Sequence, residues 1–133
     1  MPRDNSIPGN PREWLARAKG SLALAQQQKV DEAFWEDQCF LAQQAAEKAL
    51  KAVYQSRGLP FRYTHDLEEL GKGLEDGGIE IPSEVKEAIV LTRYAVETRY
   101  PGTVEPITEE EYLEAISLAE GVVAWAEKIL DQA

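Results

Sequence analysis

Apolar residues recur every three or four positions along most of the chain, and short Gly- and Pro-containing breaks separate the runs. This spacing predicts helices throughout. Asn10-Pro11-Arg12-Glu13 is a helix start, with Asn10 as cap, Pro11 at the first helical position and Glu13 placed to complete a capping box. Trp14, Ala18, Leu22 and Ala25 follow on one side, and the helix fades at the glutamine run. A second helix is predicted from about Glu32 to Arg57, ended by Gly58 with Pro60 just beyond. A third follows Thr64 or Asp66 and carries Leu67, Leu70 and Leu74 up to Gly77-Gly78. Pro82-Ser83 opens a fourth, with Val85, Ile89, Thr92 and Val96 on one side and a stop at Pro101-Gly102. The last starts at Thr108, has Glu109 to Glu111 in its first turn and Ile107 placed to staple onto Tyr112, and runs to the C-terminus.

These elements make an all-α protein, an up-down antiparallel bundle of four to five helices. Most of the second helix is apolar, and its alanines permit close approach by neighbours, so it is the predicted central helix. The exception is an arc of about 140° holding Gln43, Gln44, Glu47, Lys48, Lys51 and Gln55. A solvated helix face accounts for this arc. Alternatively, Lys48 and Lys51 supply a local positive field.

The 133 residues suit one domain, with residues 1–10 as a flexible leader and 11–133 as a single helical unit. No stretch is long and apolar enough to span a bilayer, and no signal-like segment opens the chain, so a cytoplasmic protein is expected. Cys39 is the one cysteine and His65 the one histidine. A disulfide within the chain, a cysteine zinc cage and an HExxH site are thereby excluded, and no metal or cofactor is expected. Cys39 falls between Trp35 and Ala42 on the apolar side, which makes it an inert thiol. The net charge of −10 opposes non-specific nucleic-acid binding. It is unevenly spread: residues 1–65 carry +2 and residues 66–133 carry −12. An anion therefore suits the first half, and a basic protein partner the second.

His65 lies in Thr64-His65-Asp66, where it reads either as a helix-start residue bonded to the backbone or Asp66, or as a ligand contact at the mouth between the second and third helices. Arg93-Tyr94 and Arg99-Tyr100 are two Arg-Tyr pairs near one helix end. Pro101 and the helix dipole explain the second pair in part, while phosphate contact and base stacking explain both.

Three strings now carry a resemblance when taken in order: Cys39-Phe40-Leu41-Ala42-Gln43-Gln44-Ala45-Ala46-Glu47-Lys48-Ala49-Leu50-Lys51-Ala52, then Thr64-His65-Asp66-Leu67-Glu68-Glu69-Leu70, then Arg99-Tyr100-Pro101. Together they resemble the prokaryotic HEPN domain family, in the type associated with minimal nucleotidyltransferases. The resemblance implies a four- or five-helix bundle, usually a homodimer. It also implies a partner nucleotidyltransferase in a two-component, toxin–antitoxin-like system. Catalytic members are metal-independent ribonucleases with an Arg-x(4–6)-His motif near the start of a late helix. Here no histidine follows Arg99, and neither Arg57 nor Arg62 stands at that spacing from His65.

The reading is thus a binding and regulatory HEPN module rather than an enzyme, with Lys48, Lys51, His65, Arg93, Arg99 and Tyr100 as nucleotide- or RNA-contacting residues. The alternatives are a divergent ribonuclease toxin using Arg99 with Tyr100 or His65, and a bundle whose only role is assembly.

Overall fold

The computed structural model describes residues 10–61, 63–96 and 106–132. Its helices are α1 (Pro11–Ala25), α2 (Trp35–Ser56), α3 (Leu67–Asp76), α4 (Ser83–Glu87), α5 (Arg93–Val96) and α6 (Glu109–Asp131), with a 3-10 stretch at Ala88–Thr92 between α4 and α5. No strand occurs among the described residues.

Local chemistry sets most of the ends. The Asn10 side chain accepts the Glu13 N–H at 2.9 Å. The expected reciprocal bond from Glu13 is replaced by an ion pair with Arg17. Asp66 caps α3 by accepting from Glu68 and Glu69, and Thr108 and Glu111 form a complete capping box on α6. Gly58 ends α2 at φ 67°, a left-handed conformation that disfavours any residue with a Cβ. α2 begins at Trp35, three residues later than the periodicity predicts, because the Asp37 carboxylate takes the Phe34 N–H and fixes the start there.

α2 is the central element. Ala42, Ala45, Ala46, Ala49 and Ala52 are fully buried, so α1 and α6 pack closely on it. Gln38, near the start of α2, donates to the Ala25 carbonyl at the end of α1, so these two helices run antiparallel. The Trp35 ring stacks on Tyr112 at 4.6 Å, which brings the starts of α2 and α6 together and makes them parallel. The α4–α5 stretch runs the other way, completing an up-down-up-down bundle with α3 laid alongside α2.

The predicted fourth helix is not continuous. Its buried residues are Val85, Ala88, Leu91, Tyr94 and Ala95, the first four at a period of three. The expected face of Val85, Ile89, Thr92 and Val96 follows the α-helical period instead. A 3-10 helix eclipses side chains three apart, so the change of winding re-selects the buried face. The cause is in the residues: Ile89, Val90 and Thr92 are β-branched, and the Thr92 hydroxyl accepts the Leu67 N–H at 3.0 Å.

One glycine is required by packing. A Cβ on Gly73 would overlap the hydroxyl of Tyr54, a buried side chain that donates to the Leu70 carbonyl at 2.5 Å. Glycine to alanine inside a helix ordinarily gains about 1 kcal/mol. Here Gly73→Ala is expected to lose about 1–3 kcal/mol, because the Tyr54 hydroxyl must move and give up its bond to the Leu70 carbonyl. A higher denaturation midpoint for Gly73→Ala would contradict this packing.

Candidate functional site

Gln43, Glu47 and Lys51 are four residues apart, one above the other on α2. The arc they belong to is not a solvated face. Glu47 is 4 % and Lys51 6 % exposed, and Gln43 is fully buried. They are covered by Trp14 of α1 and by the segment joining α2 to α3. The Lys51 ammonium lies 5.3 Å from the centre of the Phe61 ring and 5.9 Å from that of Trp14. Sequence periodicity alone cannot supply this cover.

The network is fully paired around Glu47. Lys51 Nζ is 2.8 Å from Oε2, Gln43 Nε2 donates to Oε1 at 3.0 Å, and His65 Nδ1 is 2.9 Å from the same oxygen. Burial, the largest single influence, pushes the Glu47 carboxyl upward. The bonds from Lys51, His65 and Gln43 together outweigh it and hold the group below the ordinary carboxylate range. Gln44 donates to Gln43, and Gln43 also reaches the His65 carbonyl at 3.3 Å.

His65 bridges this buried network to solvent, with its side chain 62 % exposed. It sits at the mouth between α2 and α3, and its ring is bonded to Glu47 rather than to Asp66. The helix-start chemistry belongs to its neighbours, since Thr64 accepts the Asp66 N–H and Asp66 caps α3. Nδ1 is thus the ring nitrogen held by Glu47. Lys48 is half-buried and donates to Ser21 on α1 at 2.9 Å, away from this edge.

The bond from Leu67 to Thr92 carries the start of α5 to the His65 edge. The next residue, Arg93, is exposed; its guanidinium lies 5.3 Å from the centre of the Tyr94 ring and lines a cleft of about 290 Å³ against α6 with Glu111 and Glu114. Tyr94 is 5 % exposed, so its ring is not available to stack on a base as the Arg93-Tyr94 pairing suggests. Burial first, and then Cys39, push its hydroxyl up to about 12. The Cys39 thiol is likewise pushed up to about 12, chiefly by burial, which leaves it inert at neutral pH. Arg99 and Tyr100 lie outside the described residues. No described helix is long and apolar enough to cross a membrane.

A four-helix bundle with an ion-paired cluster at the mouth between two helices defines a class, and comparison with known proteins supplies the family. The HEPN domain matches residues 11–129, and the chain belongs to the HEPN domain family. It is similar to the crystal structure of TT1696 from Thermus thermophilus, with 34 % identity over 90 % of this chain and 98 % of that one, at a TM-score of 0.77. It is also similar to ST0689, an archaeal HEPN homologue, with 26 % identity over 92 % of this chain and 98 % of that one, at a TM-score of 0.73. No curated protein matches the chain significantly.

Proposed function

We propose that residues 11–133 form a cytoplasmic binding and regulatory module that takes a nucleotide or an RNA segment at the His65 edge. A minimal nucleotidyltransferase is its partner in a two-component system, and the module works as a homodimer. The observation that carries this reading is an exposed imidazole anchored on a buried carboxylate, beside the turn that bears Arg93. An anchored imidazole and a planar guanidinium are both suited to phosphate. Lys51 serves from beneath by keeping Glu47 ionised and Lys48 by fixing α2 to α1, and Arg99 and Tyr100 are the further residues assigned to the ligand from the sequence. The acidic half of the chain meets the basic face of the partner. Exposed Val90 and Leu113 offer apolar surface to a second copy.

The expected result is weak, salt-dependent binding of labelled RNA or nucleotide that Arg99→Ala reduces without unfolding the bundle. A two-fold dimeric mass by light scattering at micromolar concentration is expected alongside it. A monomeric mass would remove the dimer, and no binding across a broad panel of nucleotides and RNAs would leave assembly as the role.

The same bond favours a second reading. A histidine whose Nδ1 rests on a carboxylate is oriented to accept a proton at Nε2. In a ribonuclease, Nε2 would take the proton of a ribose 2′-hydroxyl, the 2′-oxygen would attack phosphorus, and the P–O5′ bond would break with the 5′-oxygen taking a proton from water. The products are a 2′,3′-cyclic phosphate and a 5′-hydroxyl end. RNA cleavage lost on removing His65 would establish this reading over the first.

A further inference from the structure

On the face of α3 turned towards α4, the bundle opens into a cleft of about 270 Å³. Its floor is aliphatic: Ala46 and Leu50 of α2, Leu67 of α3, Val85, Ala88, and Val122 of α6. All six are buried. The space exists because the residues facing it are small. Ala46 and Ala88 carry single methyl groups, and a Cβ added to Gly71, on the wall, would meet nothing within 4 Å. Four charged side chains line the mouth, Glu68, Lys72, Glu75 and Lys86, so the rim is electrically balanced. Lys86 and Glu75 pair across it at 3.1 Å.

We propose that this cleft is a binding site for a small, uncharged, apolar molecule about the size of a fused bicyclic ring. The floor offers no group to hold water, and an aliphatic cavity of roughly 150 Å³ already takes up benzene. This one is nearly twice as large, yet below the usual range for larger ligands, so a two-ring molecule fits it. The balanced rim gives no advantage to either sign of charge. The Lys86–Glu75 pair narrows the opening, which suits a compact molecule entering end-on rather than a helix laid along a groove. Leu67, on the floor, also holds Thr92 through its N–H, so an occupant touches the turn that carries the His65 edge. The cleft itself is independent of what that edge binds.

Indole is the probe, followed by amide chemical shifts of the isotope-labelled full chain. Saturable one-to-one binding is expected, with shifts concentrated in residues 67–75 and 81–89. Gly71→Leu should weaken it at least tenfold by filling the space, while the unfolding temperature stays level or rises because leucine replaces glycine inside a helix. Gly71→Ala should give a smaller loss, and it decides the matter if the leucine variant does not fold. Unchanged affinity in a folded Gly71 variant would overturn the proposal, as would shifts centred elsewhere or no saturation up to the solubility limit of indole.

Discussion

Glu47→Ala is expected to destabilise the protein by about 3–5 kcal/mol, since it breaks a buried ion pair from one side. The wild-type carboxylate answers three donors, from Lys51, Gln43 and His65. Without it, Lys51 loses its counter-charge in a site where only 7 % of its side chain reaches solvent and where the rings of Phe61 and Trp14 lie over it. Those rings attract a cation by about 0.5–2 kcal/mol, too little to replace a carboxylate in contact. The double variant Glu47→Leu with Lys51→Met should recover most of the loss, because an apolar pair of similar volume has no charge to desolvate. The pH dependence follows from the depressed Glu47 carboxyl. A group whose folded value lies below its unfolded value contributes stability above the unfolded value, and loses it as pH falls through the folded one. Urea midpoints should therefore drop on acidification below the ordinary carboxylate range, with a shallower drop in Glu47→Gln. A loss under about 1 kcal/mol for Glu47→Ala, which is what an exposed pair would give, would contradict the burial of this cluster.

Much of the bundle is legible in the sequence because its boundaries are written in local chemistry. Asn10, Asp66 and Thr108 mark the starts of α1, α3 and α6, and Gly58 marks the end of α2. The apolar spacing of α2 and α6 likewise finds most of their buried apolar residues. The fourth segment fails for a definable reason. Periodicity at 3.6 residues selects Ile89 and Thr92, whereas a winding of three per turn buries Ala88 and Leu91. That winding is secured by a bond between Leu67 and Thr92, 25 residues apart, which no local pattern contains.

The site was half legible. Gln43, Glu47 and Lys51 stand out as a polar stripe, and His65 as the one imidazole, but a helical wheel cannot say what lies over a stripe. Trp14 and Phe61 turn it from a wet face into a covered one, and both come from other parts of the chain. Two aromatics flanking a lysine-bearing helix in sequence order were the only available hint. Tyr94 misleads in the opposite sense. Its place beside Arg93 suggests an exposed stacking pair, yet position 94 continues the buried three-residue row and takes its ring inside.

The role of His65 can be separated from that of its anchor by choosing a side chain that keeps one ring nitrogen and omits the other. Asparagine places an amide N–H close to the position of Nδ1 and nothing at Nε2. His65→Asn can therefore retain the bond to Glu47, and its stability is expected to stay within about 0.5 kcal/mol of wild type, as for an exposed site. Ligand contact should not survive. A charge-assisted bond to phosphate is worth about 1.5–3 kcal/mol, so RNA or nucleotide binding should weaken by roughly ten- to a hundredfold. Glutamine, which reaches to the Nε2 position, should restore part of it. The measurement is anisotropy of a labelled oligonucleotide at fixed low salt, with a urea melt of each variant beside it. A histidine that only fastened the α2–α3 segment to α2 would give the opposite pattern, with binding tracking stability across the three side chains. A gel of the same mixtures reads the remaining possibility. Intact RNA is expected throughout, and cleavage present in the wild type but absent in His65→Asn would mean that Nε2 moves a proton rather than holding a phosphate.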